Sequence, residues 1–209
     1  MSRFELSGGA LCLDFANTWS DRGRPETEKV RGYTDLLAFA LQAGLLTREE
    51  EASLAGRAEK DPRAAEAAFA LGRNLREYLY RIFSAVAASR APATADLERL
   101  NAALPEALSR LRLEPRGSGF VWTWAAPEGP LEAPLWPILR SAAELLTADG
   151  RQRVRECAGG GCTWLFLDRS RNRSRRWCSM ETCGNRAKAH RHYRRRRSET
   201  VQPEESFGH

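Results

Sequence analysis

Four cysteines, Cys157, Cys162, Cys178 and Cys183, follow the spacing C-x4-C-x15-C-x4-C. Two close pairs joined by a longer stretch are what a tetrahedral metal site needs. A zinc ion takes thiolates at about 2.3 Å, and two tight turns brought together can supply four. The expectation is one structural zinc ion in a closed cage, with no open coordination position for chemistry. Disulfides are the competing use of four cysteines and belong to oxidising compartments. Against that use, Met1 to Asp14 lacks a basic start followed by an unbroken apolar stretch. No run approaches the ~20 apolar residues of a membrane span, so a cytoplasmic protein without a membrane partner is expected. The fifth cysteine, Cys12, stands among Leu11, Leu13 and Phe15 and reads as a buried structural thiol.

The cysteines lie in the most arginine-dense part of the chain. Residues 151–197 carry 15 basic side chains against three acidic ones, net +12, whereas residues 1–150 and the last twelve residues are each net −3. Such a concentration of charge repels itself unless a polyanion offsets it, and nucleic acid is the natural candidate. Arg171, Arg173, Arg175 and Arg176, interrupted by serine and asparagine, are suited to clamping phosphates. Asn185, Arg186, Lys188, Arg191, Tyr193, Arg194 and Arg195 fall on a helix that could enter a DNA major groove or lie along phosphates. Double-stranded DNA is the favoured partner; an RNA-binding or ribosome-associated module and an adaptor for an acidic protein are the alternatives. His190 and His192 read as surface or packing residues, since four cysteines already complete a tetrahedron. With no nucleophile–base pair, phosphate loop or open metal site, an enzyme is not expected.

These groups must be positioned by a small module. Thr163 to Asp168 suits a strand, Arg169 to Ser174 a turn, and Arg175 to Trp177 a returning strand. A helix would then carry Cys183 in its first turn and run to Arg197, giving the outline of a treble-clef zinc finger. Under fifty residues, such a module depends on its metal for most of its stability.

The composition break near Gly150 sets a domain of residues 1–150 apart from a finger of 151–197 and a disordered acidic tail of 198–209. The overall class is α+β: a mainly helical N-terminal domain with a small β-hairpin, plus the finger. Apolar residues from Val30 to Leu41 form one helix face ended by Gly44, and Thr47 with Glu50 makes a capping box. Asp61-Pro62 opens the longest helix, toward Ala88; another begins near Thr94, with Pro105 as a candidate kink. Arg116-Gly117-Ser118-Gly119 turns a hairpin, and Trp136 to Leu146 is helical again. The tryptophans of this domain are expected in its core. Asp14, Asn17 and Thr18 form a polar group in an apolar segment, which suits either contacts to a small effector or local capping and buried hydrogen bonds.

Cys178-Ser179-Met180-Glu181-Thr182-Cys183-Gly184-Asn185-Arg186-Ala187-Lys188, with Cys157 and Cys162 upstream, resembles the CGNR zinc finger family. Gly8-Gly9-Ala10-Leu11-Cys12-Leu13-Asp14-Phe15-Ala16-Asn17-Thr18 is similar to the opening motif of the ABATE domain, which accompanies that finger in bacterial proteins described as stress-induced transcription regulators. The resemblance implies a treble-clef module for DNA, the four cysteines as zinc ligands, and Gly184, Asn185 and Arg186 at signature positions. It also implies an N-terminal domain that senses or binds a small-molecule effector. A homodimer is the expected self-association.

Overall fold

Capping chemistry decides where most helices of this chain begin and end. Thr47 accepts from the Glu50 N–H while Glu50 reaches back to the Thr47 N–H, a closed capping box that starts α3 (Arg48–Lys60). Asp61 accepts from the Ala64 N–H, and Pro62 occupies the first helical position, where a missing N–H costs nothing, to start the 26-residue α4 (Pro62–Ala87). Upstream, α2 (Tyr33–Gln42) ends at Gly44 with φ +72°, where Leu45 donates to Ala40 and Gly44 to Leu41, the Schellman closure that a residue with a Cβ adopts only under strain. The short α1 (Leu11–Ala16) precedes these. Pro105 lies inside α5 (Thr94–Ser109) without dividing it. The computed structural model describes residues 2–124 and 129–199, without side chains at positions 191, 192, 194, 195 and 197–199. Of the expected acidic tail, residues 200–209 therefore lie outside the described residues.

The core gathers around α4, whose buried face includes Leu75, Leu79, Ile82 and Phe83 and meets α1, α2, α3 and α5. Each large apolar side chain buried there contributes roughly 1.5–3 kcal/mol. After α5, β1 (Leu111–Arg116) and β2 (Gly119–Trp124) form an antiparallel hairpin with Arg116 opposite Gly119. The base of the hairpin packs inward, Trp124 lying 6.1 Å from Trp136 of α6 (Trp136–Thr147). Its outer half departs from the expected tryptophan burial: Trp122 is exposed, with the Arg140 guanidinium 5.2 Å from its ring centroid. Leu113 and Phe120 of the same hairpin are exposed as well. No helix among the described residues is long and apolar enough to cross a membrane.

The second sheet pairs β3 (Val154–Glu156) with β4 (Leu165–Leu167) antiparallel, and the Cys157–Cys162 turn connects them. This corrects the expected hairpin. The partner of β4 is the segment before the first cysteine, and Arg175 to Trp177 forms no strand. The reason is Asp168, whose carboxylate accepts from the Ser170 N–H and hydroxyl and from the Arg175 N–H. A side chain thereby holds the returning segment where a strand ladder would have done so, and Ala158 adds a backbone bond to Arg176.

β4 is also tied to the N-terminal helices. Asn17, buried at the end of α1, accepts from the Leu165 N–H at 2.7 Å and donates to the Leu165 carbonyl at 2.8 Å. The Leu167 N–H donates to Gly8, and Val154 and Leu165 are fully enclosed in the main core. Tyr80 and Ser84 of α4 donate to Glu156 of β3, each at 2.6 Å. Replacing Asn17 by alanine strands two buried backbone groups at about 1–3 kcal/mol each. Urea unfolding of the zinc-loaded Asn17→Ala protein should therefore show a loss of about 2–6 kcal/mol, far above the effect of a surface substitution.

Candidate metal centre and basic surface

The first cysteine pair sits on a knuckle built from backbone bonds. Cys157 donates to Trp164, continuing the β3–β4 ladder, and Cys162 donates to Gly159. Gly161 closes the turn with φ +76°, and a Cβ there would come within 2.8 Å of an Asp21 oxygen, so both the turn and the neighbouring loop require glycine. Of the second pair, Cys178 lies just ahead of a π-helical turn, Met180–Gly184, and Cys183 within it, with Gly184 donating to Ser179 and the Ser179 hydroxyl accepting from Glu181 and Thr182. Cys183 thus lies in a wider turn just before α7 (Asn185–Glu199), a local departure from the expected first α-turn.

The four thiols converge. Their sulfur atoms all lie within 4.8 Å of one another, Cys162 to Cys178 at 3.8 Å and Cys178 to Cys183 at 3.6 Å. A zinc–sulfur bond of about 2.3 Å implies a tetrahedral sulfur–sulfur edge of about 3.8 Å, so the cage has the dimensions of one structural zinc ion. Amide N–H groups of Gly159 and Cys178 point at the Cys157 sulfur from 3.4 and 3.3 Å, as befits a ligand carrying negative charge. Hydrogen bonds among the thiols split their titration. Those from Cys162 and Cys178 hold the Cys157 thiol well below the usual range, and the same bond to Cys157 pushes Cys162 and Cys178 up. Four thiolates this close require a compensating dication, and zinc supplies it. Cys12 is separate: it is buried, and desolvation lifts its pKa to about 12, leaving an inert thiol.

Around this cage the predicted basic residues divide. Arg171 and Arg173 stand exposed on the loop after β4, with Arg173 at φ +50°. Arg176 is exposed beside Trp177, 5.5 Å from its ring centroid. Arg175 is instead committed to the framework: it stacks 4.3 Å from the Phe166 centroid and donates to the Trp177 and Cys178 carbonyls. On α7, Asn185, Arg186, Lys188 and Tyr193 are exposed, and Asn185 also donates to Glu181. The side chains of Arg191, Arg194 and Arg195 lie outside the described residues. His190 is exposed near Arg186 at the edge of a cleft by the knuckle.

The candidate effector residues are all occupied by the fold. Asn17 holds β4, Thr18 donates to the Phe15 carbonyl at 2.8 Å, and Asp14 accepts from the Gly8 N–H at 2.7 Å. Residues that sequence reasoning passed over are Asp168, Glu156 and Arg22. Arg22 lies 3.6 Å from the Tyr80 ring centroid, pairs with Glu77 and donates to Thr163 of the finger. The signal of Glu156 and Arg22 is weak, because each acts on a segment remote in sequence.

Fold and cage together define a zinc-finger protein with a helical N-terminal part. Family comparison agrees: residues 9–149 match the ABATE family, "Putative stress-induced transcription regulator", and residues 153–196 match the CGNR zinc finger. The chain belongs to the ABATE family, with the finger following in the same order as the sequence motifs. No curated protein matches it.

Metal analysis of reduced protein should give one zinc per chain. Cys178→Ser and Cys183→Ser should retain little zinc and unfold the finger, given apparent zinc free energies of about 10–16 kcal/mol in finger peptides. Zinc content unchanged in either variant would rule out the cage. A second expectation concerns Asp14, whose pKa burial raises to about 6 despite the Gly8 hydrogen bond. Between about pH 4 and 6 the folded protein keeps a proton that the unfolded chain has released, so this group's contribution to stability falls as pH rises through that window. Asp14→Asn preserves an acceptor for Gly8, and its stability relative to the wild type should grow between pH 5 and 8.

Proposed function

We propose that the protein is a cytoplasmic DNA-binding transcription regulator in which zinc fixes the knuckle against the start of α7 and exposed arginines engage phosphates. One observation carries this reading. Nine ion pairs among the described residues join partners between Arg3 and Glu144. Arg169, Arg171, Arg173, Arg176 and Arg186 form none among the described residues. The N-terminal domain offsets many of its charges internally, whereas these five finger arginines have no carboxylate partner among the described residues, which raises a positive potential suited to a polyanion. A reducing cytoplasm keeps the thiolate cage intact. Zinc has a structural role here, because four thiolates fill its coordination sphere and leave no position for substrate.

Duplex DNA should bind with an affinity that falls about 10³-fold or more between 50 and 200 mM salt if six or more phosphates are contacted. The double variant Arg171→Ser/Arg173→Ser should weaken binding across sequences and reduce the logarithmic salt slope by about 2. Fluorescence anisotropy on duplex DNA and folded RNA at matched salt checks both expectations. Tighter RNA binding would reassign the partner, and a slope near zero would remove nucleic acid altogether in favour of an acidic protein.

A further inference from the structure

Between α4, α5 and α6 lies an open cleft of about 420 Å³, within the size range of small-molecule sites. Leu75, Leu135 and Leu139 wall it with apolar surface, and Leu71, 54% exposed, forms its lip. Asn74 lines it at an exposed position, and two mostly buried polar groups interrupt the apolar wall. Tyr78 is only 7% exposed, and its hydroxyl has no hydrogen-bond partner among the described residues. The other tyrosines of this domain are satisfied, Tyr33 donating to the Leu131 carbonyl at 2.7 Å and Tyr80 to Glu156 at 2.6 Å. Trp136 is 2% exposed, and its indole N–H likewise finds no acceptor among the described residues. Neither atom is sealed off completely, so both remain open to a ligand. Burial alone lifts the Tyr78 pKa to about 12, which keeps the phenol protonated as a donor.

Both donors reach the cleft from side chains that are otherwise buried, so a ligand there would replace water as their partner. Two donors on an apolar wall call for an acceptor carried on an apolar body. The charges at the rim narrow the choice. Arg99 is already bound to Asp96 and Glu106 to Arg110, while Glu132 adds an unmatched negative charge that repels a carboxylate. A cation would be drawn by Glu132 but offers no acceptor to the indole N–H, which only donates. We propose that this cleft binds a neutral, largely apolar small molecule bearing a hydrogen-bond-accepting oxygen, such as an aryl ketone, held by the Tyr78 hydroxyl and the Trp136 indole N–H. The site is remote from the zinc cage, and its occupancy can be measured without nucleic acid.

The test uses the full zinc-loaded protein and three probes of one shape: 2-acetonaphthone, 2-naphthoate and 2-naphthylmethylammonium. Binding is followed by NMR through the Trp136 indole N–H signal, assigned with Trp136→Phe. The ketone should shift that signal saturably and bind about tenfold or more tightly than either charged probe, the equivalent of one lost buried contact. Tyr78→Phe should weaken the ketone about three- to tenfold while leaving the rest of the spectrum in place. Ala102→Trp, at an exposed lining position, should block the cleft without disturbing the core. The proposal is overturned if no probe moves the Trp136 signal at about 1 mM, a concentration that would detect even weak sites. It is equally overturned if a charged probe binds as well as the ketone, or if both variants bind the ketone like the wild type.

Discussion

The three residues of β4 have both edges occupied, and the rest of the molecule depends on that. One edge pairs with β3, and the other is taken by the Gly8 carbonyl and by the carboxamide of Asn17, which imitates a passing peptide unit. A two-stranded sheet this short has little independent stability in water. Here it survives because Val154 and Leu165 point into the helical core and because Glu156 is gripped by Tyr80 and Ser84. The knuckle that grows from the sheet is therefore anchored before any metal is considered. Zinc then completes the fold by joining the knuckle to the turn ahead of α7.

Electrostatics follows the same division of labour. In the helical part, arginines are matched: the buried Arg76 by Glu28 and Glu77, the half-buried Arg22 by Glu77, and the exposed Arg81 by Asp96. Two of the three acidic residues of the finger are drawn inward, while Glu181 stays exposed. Asp168 accepts three hydrogen bonds that outweigh the cost of its burial and hold its pKa low, and Glu156 faces α4. Each carboxylate turned inward leaves arginine outside without a counter-charge. The strongly positive surface is thus a product of how the acids are used, and not only of how many arginines there are.

What could be read from the sequence was mainly local. Thr47 with Glu50, Asp61 with Pro62 and the Gly44 stop act within one turn of chain, so their residue types alone announce them. The cysteine pairs were legible for a similar reason, because ligand spacing constrains the metal geometry directly. The pairing of β4 was not, since Val154-Arg155-Glu156 is short and charged and gains its strand only from contacts with α4 and β4. Arg175 misled for the same reason: its partners, Phe166 and the Trp177 and Cys178 carbonyls, meet it only after folding. Asn17 was seen as polar and placed among alternatives, one of which, the buried hydrogen bond, is the role it plays across 148 positions of chain.

The sharing of Val154 and Leu165 bears on inheritance. A recombination event that moved residues 153–196 alone into another gene would deliver a finger with a naked greasy flank and a strand edge lacking its carboxamide. The new host would have to evolve a matching asparagine and hollow before the graft could persist. Descent as a single unit is the simpler path for this pair of segments, and changes on one side should be answered by changes on the other.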